Sequence, residues 1–271
     1  MKNLYRFWFY VAIALLLAVG QPLSASRLDR MAVNSAQPEI TSSEIANQVT
    51  VRVLGENLAG SGVIIAKKAE TYTVLTNRHV VDTSGEHQKC LNSKNIEYHI
   101  LTTDEQKHSA KWLCQVNFGD LDLALVEFSS PNSYQVVQWG NSEILQPGDR
   151  LYAAGFPNWR LVNPERIENT RELGWQAFKL TAGEVKMKLS LSLASGYQLG
   201  YTNDIDQGMS GGPILNQYGQ LVGINGRLKY PLQGISVFKL ADGTLPSIEQ
   251  FRQMEALSWG IPTATVQKYL P

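Results

Sequence analysis

The chain has little cysteine. Cys90 and Cys114 are its only two in 271 residues, which excludes a disulfide-dense scaffold. Its four histidines and two cysteines show no zinc-ligand spacing, so no metal is expected. Charge of one sign is also missing. Lys and Arg total 24, as do Asp and Glu, and so even a balance argues against a nucleic-acid binder that relies on a basic face. Long apolar runs are absent too. The stretch from Phe7 to Gly20 falls short of the ~20 residues a membrane span needs. What is present is core material: an apolar fraction of 44% is enough for a packed domain and argues against disorder.

The N-terminus has the pattern of an export signal. Lys2 and Arg6 precede the apolar stretch, and Leu23-Ser24-Ala25-Ser26 ends it with small residues. Residues 1–26 are therefore expected to be a signal peptide and residues 27–47 an N-terminal linker. The mature protein is expected in the periplasm or the medium, with no stable membrane association. An uncleaved N-terminal anchor is the second reading. In an exported chain an even cysteine count predicts a Cys90–Cys114 disulfide, two separate free thiols being the alternative. The bridge would close an excursion of about 25 residues and contribute roughly 3 kcal/mol on a loop-entropy estimate.

Short β-like runs separated by Gly, Pro and Asn fill most of the chain. Gln48–Leu54 alternates, Gly62–Lys67 and Tyr72–Thr76 are rich in Val, Ile and Thr, and Arg150–Phe156 is apolar. Lys111–Asn117 and Leu121–Phe128 read as a hairpin turning at Phe118-Gly119-Asp120, and Leu215–Gly223 as another around Asn216-Gln217-Tyr218-Gly219. Residues 158–195 parse poorly, with strands expected near Gln176–Thr181 and Glu184–Leu191. Near the end, Ser247 is placed to cap a helix over the following residues, and Thr263 a final short one to Leu270. Many short strands with turn punctuation indicate a sandwich or a barrel.

Three segments carry chemistry. Ser210 lies in Asp206-Gln207-Gly208-Met209-Ser210-Gly211-Gly212-Pro213, His79 in Leu75-Thr76-Asn77-Arg78-His79-Val80-Val81, and Asp122 in Leu121-Asp122-Leu123-Ala124-Leu125-Val126. A serine hydroxyl becomes a nucleophile when an imidazole takes its proton and a carboxylate orients that imidazole. The glycines permit a sharp turn that can aim the Gly208 and Ser210 amides at a developing oxyanion. Asp120 competes with Asp122, but the apolar run after Asp122 buries it better. His87, His99 and His108 read as solvated surface residues.

These three segments, in the order His, Asp, Ser, resemble the trypsin/chymotrypsin-like serine proteases, in particular their bacterial trypsin-like and HtrA-type branch. The gaps of 43 and 88 residues between them are similar to those of the family, and the resemblance runs from about Val49 to Asn225. It implies an all-β fold of two six-stranded antiparallel β-barrels with the active site between them and a C-terminal helix. The protease domain would span 48–271, with barrels at about 48–135 and 136–271. Only 61 residues follow Ser210, most of them needed to close the second barrel, so no PDZ module is expected. Met209 stands where animal trypsins carry an aspartate that pairs with a newly cut N-terminus, so that activation switch is not expected.

The resemblance implies a serine endopeptidase acting on protein or peptide substrates, with His79, Asp122 and Ser210 catalytic, Gly208 and Ser210 forming the oxyanion hole, and no cofactor. Candidate substrate-pocket residues are Asp204, Asn225 and Arg227. Asp204, six residues before Ser210, could read a basic side chain, or it could cap a turn. Arg227 and Asn225 could favour an acidic one, and a small or aliphatic preference is the third reading. A peptide-binding or holdase-like module on a protease fold is the alternative function. An esterase on an α/β-hydrolase fold is disfavoured because there the serine comes first in the chain.

Overall fold

The computed structural model describes residues 41–82 and 97–270. Cys90, His87 and the expected signal peptide lie outside the described residues. Strands β1 (Thr50–Leu54), β2 (Ala59–Lys68), β3 (Thr71–Thr76), β4 (Tyr98–Leu101), β5 (Lys107–Trp112) and β6 (Ala124–Ser129) close one antiparallel barrel in the order β1-β2-β3-β6-β5-β4. Period-two alternation sends Val51, Val53, Ile64, Tyr72, Val74, Ile100, Val126 and Phe128 into its interior.

A second closed barrel follows. Its strands are β7 (Arg150–Gly155), β10 (Lys179–Lys188), β11 (Leu199–Tyr201), β12 (Pro213–Asn216), β13 (Leu221–Arg227) and β14 (Ser258–Pro262), in the order β10-β11-β14-β13-β12-β7. Between β7 and β10 a separate hairpin forms from β8 (Trp159–Asn163) and β9 (Arg166–Asn169). The second barrel is filled by Leu151, Ala153, Val185, Leu199, Tyr201, Ile214 and Val222. A third apolar cluster joins Val63, Leu75 and Leu125 of the first barrel to Ala154, Leu215 and Ile224 of the second. The two-barrel architecture implied by the resemblance is therefore the fold of the chain.

Several local expectations are corrected. Residues 42–47, expected as linker, belong to helix α1 (Ser42–Val49), which also takes the first two residues of the expected strand Gln48–Leu54. Thr41 and Glu44 form a reciprocal capping box at its start. Ala46 and Val49 are buried, and the Ser42 hydroxyl donates to the Gln217 carbonyl at 2.7 Å, seating the helix on the second barrel. The expected 111–128 hairpin exists, but pairing begins only at Trp112↔Val126, so Asp122 stands in the loop before β6. In the region that parsed poorly, the two expected strands are one, β10. His99 and His108, expected as solvated surface residues, lie half-buried in β4 and β5. His108 stacks on Phe128 and hydrogen-bonds the Tyr134 hydroxyl at 2.9 Å.

Ser247 caps α3 (Ile248–Glu255) as expected, whereas the last helix, α4, spans only Thr263–Val266, with Pro262 at its cap position. Fully buried Trp259 on β14 meets Phe238 edge-on and donates its indole N–H to the Met254 carbonyl at 2.9 Å. It ties the second barrel to the C-terminal segment. Trp259→Ala is expected to cost ~3–5 kcal/mol, read as a lower denaturation midpoint in an equilibrium chemical unfolding curve.

Candidate active site

His79 belongs to α2 (Arg78–Val81), a single turn that follows β3. Buried Asn77 starts this turn and donates its side-chain amide to the Asp122 backbone carbonyl at 2.7 Å, drawing the loop before β6 against it. Asp122 accepts the His79 backbone N–H on Oδ1 at 3.0 Å. Its Oδ2 meets His79 Nδ1 at 2.6 Å and also accepts the Tyr197 hydroxyl. An ionised carboxylate fixes the Nδ1–H tautomer and leaves the lone pair on Nε2. The Asp122 side chain is 13% exposed and that of His79 50%. Asp120 is exposed.

Burial alone would raise the pKa of Asp122. The hydrogen bond and charge of His79, with the Tyr197 hydroxyl, outweigh it and hold the carboxyl below its ordinary value. Burial and the neighbouring Asp122 charge push the Tyr197 phenol well above its ordinary value, so it stays a donor.

Ser210 sits in the turn that leads into β12; two bonds from Ser61 of β2 hold that turn, and a third ties Ser61 to Phe156 beyond β7. The Ser61 hydroxyl donates to the Gly208 carbonyl and accepts the Phe156 N–H, each at 2.8 Å, and the Ser61 N–H donates to the Ser210 carbonyl at 2.9 Å. The Asn158 N–H donates to the Gln207 carbonyl at 2.7 Å. Gly208 has φ +101, and a Cβ there would stand 2.5 Å from the Phe156 carbonyl oxygen and 2.6 Å from the Asn158 nitrogen. Only glycine fits.

Within the turn, the amides of Met209, Gly211 and Gly212 donate to Asp206, Asn225 and Met209 carbonyls. Among the described residues, the amides of Gly208 and Ser210 donate to none. The Ser210 hydroxyl donates to the Gly226 carbonyl at 3.3 Å rather than to His79. His79, Gly208, Ser210, Gly226 and Asn158 line one cleft.

The pocket candidates stand elsewhere. Asp204 is not a buried carboxylate: its side chain is 77% exposed and paired with Lys229 Nζ at 2.6 Å. Asn225 is fully buried, accepts the Tyr201 hydroxyl at 2.7 Å and donates to the Ala154 carbonyl at 3.0 Å. Arg227 stacks over the Tyr197 ring at 4.8 Å and donates to the Val237 carbonyl. None of the three lines the cleft. Met209 is fully buried in the second barrel's core, which suits a residue with no ion pair to make.

Sequence reasoning missed Ser61, Asn158 and Tyr197. Ser61 carried a signal in its flanking glycines, Gly60 and Gly62, which mark close backbone approach within a strand. Asn158 and Tyr197 carried none.

The family model of the trypsin-like peptidase domain matches residues 60–224. Serine protease HTRA1 of Xenopus laevis is 30% identical over 179 residues, covering 62% of this chain and 31% of that protein. Periplasmic serine endoprotease DegP of Escherichia coli K12 is 30% identical over 175 residues, covering 64% and 30%. The chain thus spans about a third of the length of the curated relatives it matches. The solved structure of the HtrA-type protease AlgW with a tripeptide superposes with a TM-score of 0.55 at 19% identity, covering 84% of this chain and 60% of that one, a likeness of fold.

Ser61→Ala leaves a buried carbonyl and a buried N–H without their partner, which costs ~1–3 kcal/mol. The expected result is a lower melting temperature together with faster hydrogen exchange at the Met209, Gly211 and Gly212 amides, measured by NMR or mass spectrometry.

Proposed function

We propose that this chain, which belongs to the family of trypsin-like peptidase domains, is an exported serine endopeptidase that cleaves protein or peptide substrates after uncharged side chains. The observation that carries the reading is the pairing of two features in one cleft. His79 is held by Asp122 with Nε2 free, and beside it lies a serine turn whose Gly208 and Ser210 amides have no partner among the described residues.

In this reading Ser210 Oγ leaves the Gly226 carbonyl, a long contact that costs little to break, and rotates toward His79 Nε2. His79 takes its proton as Oγ attacks the scissile carbonyl. The carbonyl oxygen, now negative, is received by the Gly208 and Ser210 amides. The imidazolium that forms lies against the Asp122 carboxylate, which stabilises it without accepting its proton. His79 then protonates the departing amine, and a water molecule repeats the cycle on the acyl-enzyme.

The preference for uncharged side chains is supported by the cleft's lining. Its described residues include no Asp, Glu, Lys or Arg; Ala59, Gly226 and Leu228 are among them. Export follows the pattern of residues 1–26 and accords with a relative named as periplasmic. Among the described residues no helix is long and apolar enough to cross a membrane. The same compartment favours the Cys90–Cys114 bridge. Cys114 is not a free thiol, and Cys90 is the chain's only other cysteine.

The test is digestion of a diverse peptide library by the wild type and by Ser210→Ala. Cuts made by the wild type and absent from the variant are expected, with small or aliphatic residues before the scissile bond. An Asp204→Asn variant is expected to leave that preference unchanged. Enrichment of Lys or Arg before the cut that disappears in Asp204→Asn would overturn the pocket reading. An absence of serine-dependent cuts would overturn the protease and leave a peptide-binding module.

A further inference from the structure

We propose that Tyr197 is a positioning residue of the Asp122–His79 pair, its phenol admitted by the missing side chain at Gly226 and fixing the carboxylate oxygen that faces the imidazole. The inference deepens the protease reading and rests on it for its kinetic consequences.

A carboxylate on a short side chain turns easily about its last bond, because that torsion is broad and roughly two-fold. Asp122 is prevented from turning by donors on both oxygens. Oδ1 takes the His79 backbone N–H at 3.0 Å. Oδ2 takes His79 Nδ1 at 2.6 Å and the Tyr197 hydroxyl from the other side. The first two donors come from the residue to be positioned, so they cannot by themselves set its place. Tyr197 is the independent anchor. Its own segment also grips the Asp122 backbone, since the Ser195 carbonyl accepts the Asp122 N–H at 3.0 Å.

Gly226 explains how a residue as large as tyrosine reaches this spot. A Cβ at 226 would overlap Tyr197 Cε1, Cζ and the hydroxyl oxygen. The same glycine offers its carbonyl to Ser210, so its backbone serves the serine while its absent side chain makes room for the phenol. Arg227 then covers the ring at 4.8 Å and is itself tied to the Val237 carbonyl, a cation–π contact that holds the ring in plane. The charged and titratable groups around the phenol are Asp122 and Arg227, with Tyr201 beyond and His79 across the carboxylate. Burial and the Asp122 charge keep the hydroxyl protonated.

A hydroxyl that only packs and one that positions differ in a measurable way. Donation to Oδ2 draws negative charge from the carboxylate and weakens the pair's hold on a proton. Tyr197→Phe keeps the ring and its contact with Arg227 and removes this donor alone. In the full-length protein, kcat is expected to fall roughly tenfold, the worth of a hydrogen bond to a charged group, with KM near the wild-type value. The acidic limb of the kcat/KM profile is expected to move to higher pH. The His79 Nδ1–H proton resonance, which needs no substrate, is expected to shift. Gly226→Ala, which drives the phenol aside without altering it, is expected to produce the same displacement of that resonance. Tyr72→Phe removes another buried tyrosine hydroxyl, bonded to the Asn132 carbonyl at 2.8 Å in the first barrel, and is expected to leave both the limb and the resonance in place.

The proposal is overturned if Tyr197→Phe keeps wild-type kcat, limb and resonance, even with a lower melting temperature. It is equally overturned if Tyr72→Phe moves the limb and the resonance as far. A wild type without Ser210-dependent cleavage would sink the protease reading, while the resonance would still decide whether Tyr197 positions the pair.

Discussion

The Ser61 hydroxyl is where two barrels become one site. It is contributed by β2 of the first barrel and lies between two groups of the second, the Phe156 N–H and the Gly208 carbonyl. The adjacent Ser61 N–H holds the Ser210 carbonyl. His79 and Asp122 belong to the first barrel, so any drift of the serine turn relative to β2 would be a drift of Ser210 relative to His79. Apolar packing between Val63, Leu75, Ala154 and Ile224 presses the barrels together, but packing of this kind tolerates small slides. Hydrogen bonds are directional and do not. The apolar interface therefore supplies the adhesion and three short bonds from one serine supply the registration.

The arrangement also explains what could be read in the sequence. The barrels were legible through the alternating run that holds β1, the Val-, Ile- and Thr-rich runs of β2 and β3, and the turn residues between strands. His79, Asp122 and Ser210 were legible because each lies in a run whose neighbours are constrained as tightly as itself. Val80 and Val81 must pack in the first barrel, Ala124 to Val126 must enter β6, and Gly208 must pass the Phe156 carbonyl without a Cβ. Local chemistry and local packing there demand the same pattern. Tyr197 shows the opposite case. Its partner in space is Asp122, 75 residues away, and nothing in Ser195-Gly196-Tyr197-Gln198 announces a polar contact. The helix α1 was hidden differently, since its capping box at Thr41 and Glu44 was present in the chain but overshadowed by the alternating run that begins beside it.

Asp204, Asn225 and Arg227 do not line the cleft of His79 and Ser210, and the reason is shared: distance along the chain from Ser210 does not determine which way a side chain faces. Asp204 is near the serine in sequence, but it points into solvent and meets Lys229. Asn225 and Arg227 are neighbours on β13, a strand whose register shifts between them, so simple alternation gives no guide to where each leads. One is consumed by the core of the second barrel and the other by the Tyr197 ring and the Val237 carbonyl. Burying a guanidinium requires this much engagement, and its pKa is lowered by that burial despite the nearby Asp122 and Tyr197.

The two amides without partners sit where that condition costs least. An unpaired N–H sealed in a core would cost several kcal/mol, and more than nine in ten buried backbone groups are accordingly paired. Gly208 and Ser210 instead line the cleft that holds His79, at the edge of the core and not sealed within it. The turn meets its internal needs through Met209, Gly211 and Gly212, so its shape does not depend on the two that are left. Donors held in place by other bonds do not have to reorganise when charge appears before them, and this is what makes electrostatic stabilisation effective in a preformed site. The same division holds around His79: Asp122, itself held by Asn77 and Tyr197, takes Nδ1, and Nε2 has no partner among the described residues.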